Sequence, residues 1–255
     1  MTETTFARPP VGLALRALLR ADTIVLLRST VATVLSLVLP IVILIATTLG
    51  KAGSRLGSPA IIIGLALTLG LITSCLLGYS LTLAHDREVG VLQRLRVSPA
   101  PTWTIMTSRL CVQIASNLLA SIIVVVIGAA LHGLTPSAGQ YALALVVAVL
   151  GAAMFLSIGQ ALVALVPSTT AINAIGRILF IILVLLGLVG SSGILGDTMK
   201  SIAAWSPVGA LMTLFSDALT GAAWADQDGY ALLACLGYVV VFASLGIRWF
   251  RWETH

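Results

Sequence analysis

Long runs of apolar residues, rather than an alternation of apolar and polar positions, organise this chain. Six runs, at about 30–49, 60–83, 110–131, 141–166, 174–192 and 230–250, approach the roughly 20 residues with which a helix crosses a hydrocarbon core of about 30 Å. Strands crossing the same core would alternate apolar and polar side chains, and these runs do not. The pattern predicts an all-α membrane protein with six transmembrane helices, and it excludes a barrel.

Before and between the runs the pattern changes. The lead-in PPVGLALRALLRADTIVLLRS, 9–29, opens with Pro9-Pro10, which suits a helix start. Arg16 and Arg20 are four residues apart and share a face with Thr23, while Leu15, Leu18, Leu19 and Leu26 spread over the other side. An N-terminal interfacial helix accounts for this pattern, with Asp22 interrupting its apolar flank; a cytoplasmic lead-in with stop-transfer arginines accounts for it as well. The chain therefore divides into a lead-in, 1–29, and a six-helix membrane domain, 30–255. The polar opening MTETTFARPP carries no short apolar core with a small-residue cleavage site, so it is expected to stay in the cytoplasm.

The segment 193–229 is too broken for a span and too apolar for a solvated loop. Ser206-Pro207 should split it into two short helices dipping into the outer leaflet, with Trp205 and Trp224 at headgroup level. A plain interfacial loop is the alternative. The remaining loops, 50–59, 132–140 and the turn PSTTAIN, 167–173, are too short to fold as domains.

Charge adds an orientation. Only 9% of the 255 residues are charged, 59% are hydrophobic, and the mean hydropathy is +1.10. Threading the runs in order places every basic residue except Lys51, Arg55 and Lys200 on one side, the cytoplasmic one, so both termini are expected there. The net charge of +5 is then a topology signal and no footprint for nucleic acid. Cys75, Cys111 and Cys235 fall in apolar runs, where a thiol is inert, and His85, His132 and His255 are too dispersed for a metal cluster.

One cytoplasmic stretch departs from this economy of charge. AHDREVGVLQRLRVSPAPTW, 84–103, holds Asp86, Arg87, Glu88, Arg94 and Arg96 within about three helical turns. Topology explains its arginines but not Asp86 and Glu88, nor the apolar Val89, Val91, Leu92, Leu95 and Val97. The run 85–97 lacks proline and Ser98-Pro99 stops it, so a short helix of about three turns is expected, bent or closely approached at Gly90. The residues read as a docking surface.

The pattern Arg87-Glu88-x-Gly90-x-Leu92-x-x-Leu95-Arg96-Val97-Ser98-Pro99, followed by Trp103-x-Ile105 and Arg109-Leu110, resembles the intracellular-loop signature of the type 2 ATP-binding-cassette permeases. It departs in Val91 and Gln93, where that family usually has threonine and glutamate. SPVGALMTLFSDALTG, 206–221, is similar to the family's proline-containing motif before the last span. The resemblance implies a coupling helix seated in a cleft of a separate cytoplasmic ATPase, a second permease subunit facing this one, and export of cargo. Asp86, Arg87, Glu88, Gly90, Leu92, Arg94, Leu95, Arg96 and Pro99 are its implied coupling residues, with Glu88 the first choice for transmission and Arg87, Arg94 and Arg96 as partners for ATPase carboxylates.

The chain itself holds no phosphate-cradling G-x-x-x-x-G-K-[ST], so ATP and Mg2+ belong to the partner and no cofactor to this chain. LSIGQ, 156–160, lies inside an apolar run and reads as helix packing through Ser157 and Gly159. Polar residues inside spans are candidates for the cargo path: Tyr79, Ser80, Gln113, Asn117, Gln160 and Asn173. Arg177 reads as a residue snorkelling to the inner interface. No charge lies deep in a span, which fits an amphipathic or lipophilic drug, lipid or natural product better than ion coupling. A membrane-embedded enzyme would need a nucleophile and base, and Gly78-Tyr79-Ser80 lacks the closing glycine of a nucleophile elbow. A receptor or assembly subunit that docks a cytosolic partner without moving cargo stays open. The expected location is a bacterial plasma membrane, in contact with its lipids.

Overall fold

The computed structural model describes residues 11–28, 30–49, 57–96, 101–191 and 196–249. Eleven α-helices and one π stretch follow in order among these residues: α1 Val11–Arg28, α2 Thr30–Leu49, α3 Pro59–Leu71, the π stretch Ile72–Gly78, α4 Tyr79–Glu88, α5 Val91–Arg96, α6 Thr102–His132, α7 Ala138–Leu165, α8 Thr169–Ser191, α9 Asp197–Trp205, α10 Pro207–Thr220 and α11 Asp226–Trp249. No strand occurs among them.

Among the described residues, five helices are long and apolar enough to cross a membrane: Pro59–Glu88, Trp103–His132, Ala138–Leu165, Thr169–Leu188 and Asp226–Trp249. They correspond to the second through sixth apolar runs. The first run forms α2, a helix of 20 residues with Pro40 inside it. The lead-in is one helix, α1, with Arg16 and Arg20 exposed and Leu15, Leu18 and Leu19 half-buried as the helix lies along α6.

Helix ends fall where local chemistry places them. Ser58 accepts a hydrogen bond from the Ile61 amide (3.4 Å) ahead of Pro59. Ser137 and Gln140 cap α7 reciprocally: the Ser137 amide donates to Gln140 Oε1 (2.6 Å) and the Gln140 amide to Ser137 Oγ (3.4 Å).

The helix Pro59–Glu88 and α7 form the centre, and α6, α8 and α11 are more open to the outside. Between α3, α7, α8 and α11 lies α10, whose Leu211 and Phe215 are fully buried. At Gly159 the backbones of α7 and the π stretch come so close that a Cβ would sit 3.0 Å from the Cys75 carbonyl oxygen. LSIGQ therefore serves helix packing, as its apolar setting implied.

The segment 193–229 breaks as its sequence indicated. Thr198–Trp205 and Pro207–Thr220 meet at 80°. Ser206 makes the corner, donating to the Ala203 carbonyl (2.6 Å) and accepting from the Gly209 amide (3.0 Å).

Candidate functional site

The 84–103 stretch is not one three-turn helix. The helix begun at Pro59 runs on without a break to Glu88, and Gly90, with φ +76°, turns the chain before the short α5. A non-glycine residue is strained in that left-handed region, so Gly90 is a bend. Beyond it Leu92 is fully buried, Leu95 is half-buried, and Gln93 and Arg94 are exposed. The helix ends at Arg96; Ser98, Pro99 and Ala100 lie outside the described residues.

The charges before Gly90 point elsewhere. Arg87 is only 3% exposed, and its guanidinium donates to the carbonyls of Val163 (2.6 Å), Val166 (2.8 Å) and Pro167 (2.9 Å). The expectation that Arg87 meets carboxylates of another protein is therefore corrected. Carbonyls at the end of α7 have no partner within their own helix, and a buried guanidinium fork satisfies several at once. Asp86 likewise turns inward and pairs with Arg109 of α6 at 2.6 Å. Glu88 is exposed, yet Oε1 accepts from the Thr169 amide at 2.9 Å, the first residue of α8.

Behind this loop lies a cavity of about 550 Å³ between α1, the π stretch, α4, α6 and α8. Of the expected pathway residues, Tyr79, Gln113 and Asn173 line it; Ser80, Asn117 and Gln160 do not. Ser80 is buried and its hydroxyl donates to the Leu76 carbonyl. Asn117 lines a much smaller void beside Pro40 and donates to the Gln113 carbonyl (2.8 Å). Gln160 packs against Gly246 of α11. Each sits on a helix face set by tertiary packing, which polarity alone does not specify.

The cavity also gathers residues that the sequence reading passed over. Asp22, which interrupts the apolar flank of α1, faces it and accepts a hydrogen bond from Ser108. Burial raises its carboxyl above the ordinary aspartate range, against the lowering effects of that hydrogen bond and of Arg109. Gln113 Nε2 donates to Ser74 Oγ (3.0 Å), and Arg177 Nε to Asn173 Oδ1 (2.9 Å). Arg177 thus belongs to the cavity wall, and its spacing of four from Asn173 was the available signal. Among the described residues, two buried polar atoms on the lining have no partner, the Tyr79 hydroxyl and Arg109 Nε.

Residues 14–220 match the family model of the ABC-2 type transporter, well over half of the chain. The chain belongs to the ABC-2 type transporter family. No curated protein matches the chain. The ABC-2 match begins in α1 and closes at the end of α10, so it takes in the charged loop, the cavity and the bent helix pair. Membership makes this ABC-2 chain a membrane transport component.

Proposed function

We propose that the chain is the membrane subunit of an exporter that works as two such halves, driven by a separate cytosolic ATPase that handles ATP and Mg2+. The observation that carries the reading is the arrangement around α5. Asp86 and Val91 form part of the cavity wall, whereas Gln93 and Arg94, two and three residues past Val91, are exposed. One short segment therefore offers a cargo-side face and a partner-side face. Leu92 anchors it in the protein, Leu95 contributes apolar contact, and Arg94 and Arg96 are the cations that meet ATPase carboxylates. In this reading α1 lies in the inner interface, α2 supplies the sixth span, α9 and α10 dip into the outer leaflet, and both termini are cytoplasmic in a bacterial plasma membrane.

The cavity supports an amphipathic cargo. Its wall is mainly apolar, and its four charged residues, Asp22, Asp86, Arg109 and Arg177, sum to zero. The two unpartnered groups, Tyr79 Oη and Arg109 Nε, are both N–H or O–H donors. An amphiphile with an apolar body and an acceptor oxygen in a neutral head satisfies them, which a polyanion does not do without unbalancing the charge. Tyr79, Gln113 and Asn173 are the path residues, and Tyr79 is the cargo's hydrogen-bond donor.

Affinity purification from the native membrane tests the reading. A P-loop ATPase should accompany the wild-type protein and be lost with Arg94→Glu. ATP-driven efflux of a neutral lipophilic dye should fall with Tyr79→Phe while the ATPase stays bound. Absence of any ATPase from the wild-type preparation overturns the exporter and brings forward the receptor or assembly subunit.

A further inference from the structure

Arg87 and Glu88 are neighbours in sequence, yet they bond to opposite sides of one turn in another part of the chain. The turn is 166–168, between α7 and α8. On its near side Arg87 donates to three carbonyls, Val163, Val166 and Pro167, which are 76, 79 and 80 residues away in sequence. On its far side Glu88 accepts from the Thr169 amide, 81 residues away. Each charge suits the end it meets, a cation at the C-terminus of α7 and an anion at the N-terminus of α8. Four hydrogen bonds, all charge-assisted, thus bind the last turn of α4 to both helices at once.

The two residues also sit at a strategic place along their own helix. Immediately after them Gly90 turns the chain into α5, whose Leu92 is fully buried and whose Arg94 is exposed. Before them the same helix passes through the π stretch Ile72–Gly78, a departure from regular α-helical bonding of the kind frequent at functional sites. The segment from Tyr79 to Glu88 therefore lies between a π stretch and a glycine bend, and its end is fastened to the turn 166–168.

We infer that Arg87 and Glu88 are transmission residues acting inside this chain: they pass a displacement of α5 to α7 and α8, so that the fourth and fifth apolar runs move with the end of the second. This rests on the reading that an ATPase docks on α5, and it makes both residues positioning groups for the transport cycle. A cap that merely stabilises the turn would hold α8 in place without carrying any response to nucleotide.

Site-directed labelling separates the two roles. Single cysteines are placed at Gln93→Cys on the docking helix and at Thr170→Cys just past the turn, both exposed positions, in a Cys111→Ser background because Cys111 is the exposed native thiol. Maleimide labelling is followed in the complex purified with its ATPase, with and without ATP plus vanadate. With Arg87 and Glu88 intact, nucleotide should change the labelling rate at both positions. Glu88→Ala should keep the ATPase and the response at Gln93→Cys while the response at Thr170→Cys drops about tenfold. Glu88→Gln, which retains an acceptor for the Thr169 amide, should restore most of it. An unchanged Thr170→Cys response in Glu88→Ala overturns the inference, and so does loss of the ATPase from that variant, which would make Glu88 a docking contact. Wild-type protein without any ATPase overturns the exporter reading as well, so the two failures are distinguishable.

Discussion

The two sides of Gly90 carry the same kinds of residue and use them in opposite ways. Before it, Asp86, Arg87 and Glu88 all find partners within the chain, on α6, at the end of α7 and at the start of α8. After it, Arg94 remains exposed while its neighbour Leu92 is buried. A cluster of charges in a poorly charged chain looks like one surface in the sequence, yet it is two devices joined by a bend. Burying a guanidinium is costly unless its donors are met, and the three carbonyls near the α7 terminus take up Nη1 and Nη2, leaving Nε without an acceptor among the described residues. On α5 Arg94 is exposed, and its charge stays in water.

The contrast makes quantitative predictions. The largest effect is expected on the inward side: Arg87→Ala leaves three carbonyls without their donor and should lower stability by about 3 kcal/mol. Thermal unfolding in detergent checks this. Arg87→Lys should recover only part of the loss, because an ammonium cannot reproduce the fork. Equal melting of Arg87→Ala and wild type would erase the distinction between the two sides. Next comes the anchor of the outward side, where Leu92→Ala opens a void and should cost about 2 kcal/mol, loosening α5 without unfolding the spans. Protease protection of the loop against protection of the whole chain measures this.

A smaller effect is expected at Asp22. Its folded-state carboxyl titrates above the ordinary aspartate value, so the ionised form is disfavoured by folding and stability falls as pH rises through that range. Asp22→Asn keeps an acceptor for Ser108 and removes this cost, so it should be neutral to slightly stabilising at pH 7, with a flatter dependence of melting on pH above the ordinary aspartate range. The smallest effect on stability is Arg94→Glu, within about 0.5 kcal/mol, even though it should strip the ATPase from the complex. A substitution that loses its partner and keeps its melting temperature would sharpen the contrast most.

How much of this was legible in the sequence follows the range of the interactions involved. The apolar runs became helices because their composition leaves lipid-facing backbone no other way to satisfy itself. Ser206-Pro207 announced the 80° corner because capping and the fixed φ of proline act over a few residues. The inward roles of Arg87 and Asp22 were hidden, since their acceptors and donors lie 76 to 86 residues away. Asp22 looked like a flaw in an amphipathic face because Ser108 cannot be placed beside it without the packing of α1 on α6. The π stretch left no signature either, for ITSCLLG reads as ordinary span sequence. Half of the expected cargo-path residues reached the cavity, because polarity marks a candidate but helix rotation decides where it points.

The distance between Arg87 and its acceptors bears on how the protein is made. A chain emerges from the ribosome N-terminus first, so the guanidinium is synthesised long before the carbonyls of Val163, Val166 and Pro167 exist. Until the run containing α7 has been delivered to the bilayer, Arg87 has only water or lipid headgroups for company, and the loop cannot take its mature form. The mature contacts of Arg87 are thereby timed to follow synthesis of the fourth apolar run.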